Sequence, residues 1–314
     1  MSGDSDEFSE IARLFRPLTG GAAGAFDLLD DAAVLPRRPG FETVVTTDAM
    51  VEGVHFLSGE DPALVARKLV RVNLSDLAAK AAEPFGAFLT VCWSQAYGPQ
   101  ERATFAHGLG EDLRAFGVAL LGGDTSRTPG PFTVNLAALG WVPEGAMVRR
   151  AGARPGDVVA VSGTIGDGTL GLAAARGEIA DPGGHLAGRL RLPTPRLDLR
   201  QALRDHASAA ADVSDGLAAD AGHIATASGV ALELDLDRMP LSRAARAWLD
   251  AQPDRDAALV RLATGGDDYE VVAVFRTAVP NEFAPIGNIR SGSGVVVRAG
   301  GRALTIQNGG WRHL

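Results

Sequence analysis

Six short segments of this 314-residue chain set one to three aspartates among small or apolar neighbours: LLDDAAVL (28–35), VTTDAM (45–50), NLSDLAA (73–79), LLGGDTS (120–126), ADVSDGLAAD (211–220) and TGGDDYE (264–270). A carboxylate drawn out of water between strand-like residues is costly unless a cation or several donors hold it. A fold that tolerates six such places therefore points to a shared cation. Asp30, Asp31, Asp48, Asp76, Asp124, Asp212, Asp215, Asp267 and Asp268 are all oxygen donors, and oxygen-only sites suit Mg²⁺ or Mn²⁺ better than zinc. Phosphate chemistry is the expectation that follows. Singly, each piece has a plainer reading: Asp76 as a first-turn acid of a helix, Asp124 as the holder of a turn. It is the recurrence that favours the cation.

The length allows two domains with substantial cores. A hydrophobic content of 46% with 39 glycines describes a globular chain rich in tight turns. The formal net charge of −8 argues against nucleic acid as a partner, since no basic run with interleaved aromatics offsets it. Lysine occurs only at Lys68 and Lys80, so nearly all positive charge is arginine, which cannot act as a general base near neutral pH. Cys92, the sole cysteine, excludes internal disulfides and a cysteine-based zinc site; its setting in AFLTVCW reads as a buried strand. The first ten residues, MSGDSDEFSE, lack a positive segment followed by an apolar one, and no stretch approaches 18 uninterrupted apolar residues. The expectation is a cytoplasmic enzyme with no membrane partner.

A capped helix is expected through FSEIARLFRPL, strands at AAVL and TVVTTD, and a long helix from about Pro62 to Ala82, where Val65, Leu69, Val72 and Leu77 recur at helical spacing. Strand AFLTVCW, a helix over roughly 99–116, and strands VALLGG and PFTVNLAALGWV follow, making this half α+β and rich in strand. VRRAGARPGD combines Gly, Pro and Arg and marks the boundary, giving domains 1–147 and 148–314. Beyond it come strand DVVAVSG, helices GTLGLAAARG and RLDLRQALRD, a strand–loop–helix through SAAADVSDGLAADAGHIATASG, strand VALELDL, helices between 240 and 263, strand EVVAVF and a hairpin at VVVRAGGRALTI. No GxxxxGK[ST] phosphate loop occurs, and the glycine-rich SGTIGDGTLG has no lysine where such a loop would need one.

The series LDDAAVL, TTDAMVEGVHF, VNLSDLAAKAAEP, LLGGDTSR, RAGARPGD, SGTIGD, DVSDGLAADAGHI, GGDDYE and IGNI, in this order and spacing, resembles the thiamine-monophosphate kinases over nearly the whole chain. The resemblance implies the two-domain, mixed α+β (α/β) architecture of aminoimidazole ribonucleotide synthetase, with a β-rich N-terminal ATP- and Mg²⁺-binding, dimerising domain and an α/β C-terminal domain. It also implies a homodimer, several Mg²⁺ ions, and transfer of the γ-phosphoryl of ATP onto thiamine monophosphate. By the same resemblance Asp30, Asp31, Thr46, Thr47, Asp48, Asp76, Asp124, Asp212 and Asp215 would be metal ligands. Gly123, Asp124, Arg150 and Ser214 would meet ATP, and His55, Asp267 and Trp311 the thiamine monophosphate. No residue is needed as a general base, because the acceptor phosphate oxygen is already ionised near neutral pH.

The chain departs from the family pattern twice: Leu29 stands where glycine usually precedes the DD pair, and Asp267 where glutamate is usual, one methylene shorter. Plainer readings exist on the substrate side as well. His55 can be a packed histidine with one backbone bond, Arg150 an exposed linker arginine, Trp311 an anchor for a tail, and Ser214 a helix cap. Among relatives of the same superfamily, a selenophosphate synthetase would carry a reactive cysteine or selenocysteine in its glycine-rich N-terminal segment, and GGAAGAF has none. A hydrogenase-maturation relative would end in cysteine, whereas this sequence ends Trp311, Arg312, His313, Leu314. A binding module without turnover is the remaining alternative of a different class.

Overall fold

The computed structural model describes residues 7–306 and 309–311, so the first six residues and the last three, considered above as sequence, lie outside the described residues. The chain divides into two compact units, residues 1–77 with 82–145, and residues 78–81 with 146–314.

The first unit contains α1 (Glu7–Leu14), β1 (Phe41–Val51), most of α2 (Pro62–Ala79), β2 (Glu83–Trp93), α3 (Pro99–Ala115), β3 (Ala119–Arg127) and β4 (Thr133–Pro143). Its four-stranded sheet runs in the order β1-β4-β2-β3, with β1 and β2 antiparallel to β4 and β3 parallel to β2. Pro17 is incompatible with continuing α1, and a 3-10 turn over Arg16–Thr19 takes its place. The AAVL segment is not the expected strand. The Val34 amide donates to Gly24 O, and Pro36, two residues on, has no N–H to donate. Helix α2 stops three residues earlier than its apolar period implies. Ala81 adopts φ 58°, and the amides of Ala81 and Ala82 return to the carbonyls of Ala78 and Leu77, a closure that satisfies the helix end. Phe132 anchors the interior, stacked 5.1 Å from Trp93 and 4.2 Å from Tyr97, with Phe105 edge-on.

The second unit contains β5 (Val158–Ser162), α4 (Asp167–Ala175), α5 (His185–Arg191), α6 (Arg200–His206), β6 (Ala207–Asp212), α7 (Leu217–Ser228), β7 (Ala231–Asp235), α8 (Arg243–Asp250), α9 (Arg255–Thr264), β8 (Val271–Phe275), β9 (Phe283–Arg290), β10 (Gly294–Ala299) and β11 (Arg302–Leu304). The seven strands lie in the order β11-β10-β7-β9-β5-β8-β6. Strand β8, VVAVF, is buried along its whole length and carries no alternation, as a strand covered on both faces should. Strand β9 was hidden from pattern reading by Pro285, which sits where the pairing with β5 shifts register and a missing N–H is tolerated. Helix α5, between a segment with Pro182, Gly183 and Gly184 and one with Pro193 and Pro195, was likewise not foreseen.

Candidate active site

In the first unit the strand period of two sorts the TTD motif. Thr46 and Asp48 share the half-buried face of β1 with Met50, and Thr47 takes the exposed face. Thr46 Oγ1 donates to Asp76 Oδ2 at 2.5 Å, and the amide of Asp48 donates to Asn73 Oδ1 at 3.0 Å. Asn73 and Asp76 are three apart on α2 and so present to the same strand. Asn73 is fully buried, and its Nδ2 donates to Leu69 O at 2.9 Å, which holds the amide rigid. Thr47 instead exchanges hydrogen bonds with Asn135 on β4. His55 Nδ1 accepts the Val51 amide at 3.0 Å, while Lys68 Nζ donates to the His55 carbonyl. The backbone bond expected for a packed histidine is therefore made.

Asp30, Asp31, Gly123 and Asp124 line one cavity of about 610 Å³ in this unit. Its other lining includes apolar side chains, Phe8, Ile11 and Phe15 from the N-terminal segment, Leu28, and Phe88 and Leu121 from the two parallel strands, with the threonines Thr90 and Thr125. Glu7 is the fourth acid, and no lysine or arginine is among the lining residues. Carboxylates that border one cavity with no basic residue in its lining are suited as oxygen ligands to a divalent cation, though among the described residues they do not form a group of three with ligand atoms within 4.8 Å of one another. Gly123 is required by its own sheet, since a Cβ there would stand 1.9 Å from the Leu89 carbonyl oxygen. That close approach brings Asp124 level with Thr90 of β2.

In the second unit the loop Val213–Gly216 between β6 and α7 is a hub. Asp212, buried at the end of β6 opposite Val271, precedes it. Asp220, one turn into α7, accepts the amides of Ser214, Asp215 and Gly216, each at 3.1 Å on the same oxygen. The loop carbonyls point the other way and are taken in turn: Val213 O by the amide of Tyr269, Ser214 O by that of Asp267, Asp215 O by that of Trp311. Gly266 admits this approach, because a Cβ there would lie 2.3 Å from the Ser214 carbonyl oxygen. Asp267 sits at φ 66° and accepts from the Tyr269 hydroxyl at 3.2 Å. Burial, and then the charge of Asp215, push the Asp220 carboxyl up to about 7, against the loop amides and Arg150. Asp215, Asp220 and His223 bring ligand atoms within 4.8 Å of one another and are able to hold a metal ion. Asp220 and His223 were missed in the sequence; the signal was their i, i+3 spacing on the first turns of a helix that follows DVSDG.

The glycine-rich SGTIGDG segment is claimed by the protein itself. The amides of Gly166 and Gly168 donate to the two oxygens of the fully buried Asp268 at 2.8 and 2.9 Å, and burial holds that carboxyl well above its ordinary range. Next to it Glu270, also fully buried, accepts from Ser162, Arg189 and Arg196. These contacts clamp the GGDDYE segment at the point where Asp267 leaves it.

The AIR synthase related protein family matches the chain in both parts: the model of its N-terminal domain over residues 29–142 and that of its C-terminal domain over residues 154–299. A thiamine-monophosphate kinase of Caulobacter vibrioides is 54% identical, over 98% of this chain and 90% of its own. The crystal structure of a thiamine-monophosphate kinase from Stenotrophomonas maltophilia superposes with TM-score 0.77 at 36% identity, covering 88% of this chain and 91% of that one. AaThiL complexed with AMPPCP and TMP superposes with TM-score 0.79 at 28% identity, covering 93% and 98%.

Proposed function

This chain belongs to the thiamine-monophosphate kinase family of AIR synthase related proteins, and from that premise we propose how its residues carry the family's reaction. The enzyme phosphorylates thiamine monophosphate to thiamine diphosphate at the expense of ATP. Our reading is direct in-line transfer of the γ-phosphoryl group, dependent on Mg²⁺. The observation that carries it is the cavity bordered by Asp30, Asp31 and Asp124 together with apolar side chains such as Phe15, Leu28 and Phe88. A nucleotide asks for both kinds of surface, an apolar one for its base and cation-holding acids for its phosphates.

Several Mg²⁺ ions, when bound, would supply the positive charge that lets two polyanions approach; two unit charges 4 Å apart repel by about 4 kcal/mol at an effective dielectric of 20. In the first unit Asp30, Asp31, Asp124, Asp48, Asp76 and the Thr46 hydroxyl would hold them. Thr47, whose side chain turns to the other face, would contribute its carbonyl. Gly123 and Asp124 would border the nucleotide. In the second unit Asp212 and Asp215 would be ligands, with Arg150 and Ser214 against ATP phosphates. His55, Asp267 and Trp311 would meet the acceptor. No side chain has to remove a proton, because the attacking phosphate oxygen is ionised, so the protein's work is positioning and charge. We further read the first unit as the dimerising one, the enzyme as a homodimer, and its place as the cytoplasm; among the described residues no helix is long and apolar enough to cross a membrane.

Purified protein given ATP, Mg²⁺ and thiamine monophosphate is expected to form thiamine diphosphate, and a chelator to stop it. Asp48→Asn should abolish turnover while leaving the fold intact by circular dichroism. Product formed equally well in the presence of chelator would remove the metal from the mechanism, and activity with free thiamine alone would mean that the acceptor is wrong.

A further inference from the structure

We propose that Asp220 is a positioning residue for the acceptor side of the site, acting by setting the conformation of the Val213–Gly216 loop. The inference rests on the assignment of Asp267 and Trp311 to thiamine monophosphate made above. Three successive amides that converge on one point form the concave nest that proteins use to bind anions. Here the nest is filled by the chain's own carboxylate, with one Asp220 oxygen accepting from Ser214, Asp215 and Gly216 at 3.1 Å each. Turning three amides inward turns the loop carbonyls outward, and these are the acceptors on which the substrate segments hang. Ser214 O takes the Asp267 amide at 2.9 Å and Asp215 O the Trp311 amide at 3.0 Å, while Val213 O takes Tyr269, whose hydroxyl reaches Asp267.

One buried side chain thereby fixes two segments that are separated by more than forty residues in the sequence. Asp220 is 1% exposed and one helical turn into α7, so its place is set by the helix and not by the loop it organises. Neither neighbour on the helix can replace it: Ala219 and Ala221 offer no acceptor. An apolar residue at this position would leave the amides of Ser214, Asp215 and Gly216 without this acceptor.

The test combines amide hydrogen exchange with steady-state kinetics on the full-length enzyme, comparing wild type, Asp220→Ala and Asp220→Asn. In Asp220→Ala the amides of residues 214–216 should exchange faster, and those of Asp267 and Trp311 with them, while β8 keeps its protection. KM for thiamine monophosphate should rise and kcat fall, together on the order of 10- to 100-fold in kcat/KM. Asp220→Asn retains an acceptor of the same size and should fall between the two; it carries the test if the alanine variant does not fold. Unchanged exchange at 214–216, or faster exchange with wild-type kinetics, overturns the proposal. Should wild type fail to bind thiamine monophosphate, the acceptor assignment is wrong, while the exchange of Asp267 and Trp311 still decides whether Asp220 positions them.

Discussion

At the scale of single residues the chain accepts backbone cost next to its acidic cavity. Phe26, Asp27 and Leu28 take φ of 48°, 56° and 57° in succession, immediately before Leu29 and the DD pair. For L-residues the left-handed region costs roughly 1–2 kcal/mol each, less for aspartate. Asp27 is exposed, and its backbone carbonyl, not its side chain, receives Arg16. Asp27→Gly is therefore expected to stabilise the protein by less than about 1 kcal/mol, glycine's greater unfolded-state freedom offsetting part of the relief, read as a slightly higher urea midpoint at unchanged slope. The converse holds at Gly123. Gly123→Ala places a Cβ against the Leu89 carbonyl and should cost about 2 kcal/mol or more and displace Asp124, so both stability and nucleotide affinity should fall. Leu29, a departure from the family pattern, is 72% exposed and so meets no steric obstacle where glycine is usual.

At the scale of elements, β1 is joined to α2 through one buried amide. Asn73 joins the Asp48 N–H to the Leu69 carbonyl. Asn73→Ala strands that N–H, and a loss of about 2 kcal/mol in denaturant melts, with a fall in kcat, is expected. The aromatic packing of β2, α3 and β4 makes a separate prediction. Burial, then the charges of Glu52 and Glu101, push the Tyr97 hydroxyl up to about 12. Below pH 10 it is protonated whether folded or not. Between about 10 and 12 the unfolded chain ionises first, so stability present at lower pH is lost as pH rises. Tyr97→Phe should flatten that alkaline decline; superimposable stability curves for wild type and variant from pH 9 to 12 would remove Tyr97 as its cause.

At the scale of the whole molecule, bound ligands should be visible as stability. A Mg²⁺–nucleotide complex present at a hundred times its dissociation constant adds about 2.7 kcal/mol to the folded state. Thermal scans with a non-hydrolysable ATP analogue and Mg²⁺ are therefore expected to show a rise in Tm that chelation reverses. Asp31→Asn should diminish it, because Asp31 borders the cavity. A rise that persists in chelator would mean that the nucleotide binds without metal.

Much of this molecule could be read from residue order alone. The acidic motifs pointed to phosphate chemistry because a carboxylate among apolar residues has few other solutions, and the period of α2 and the alternation of β1 placed Asp76, Thr46 and Asp48 on elements whose faces follow from spacing. Other features depended on closure in three dimensions. No local signal says that Thr47 turns to Asn135, that the SGTIGDG amides serve Asp268, or that AAVL, stopped by Pro36, pairs with no strand. Nor does any local pattern reveal that Asp220 gathers three amides of the preceding loop. The reason is physical: side-chain periodicity records which face of an element is buried, whereas the partner of a buried polar group is whatever donor or acceptor the tertiary structure brings within about 3 Å of it.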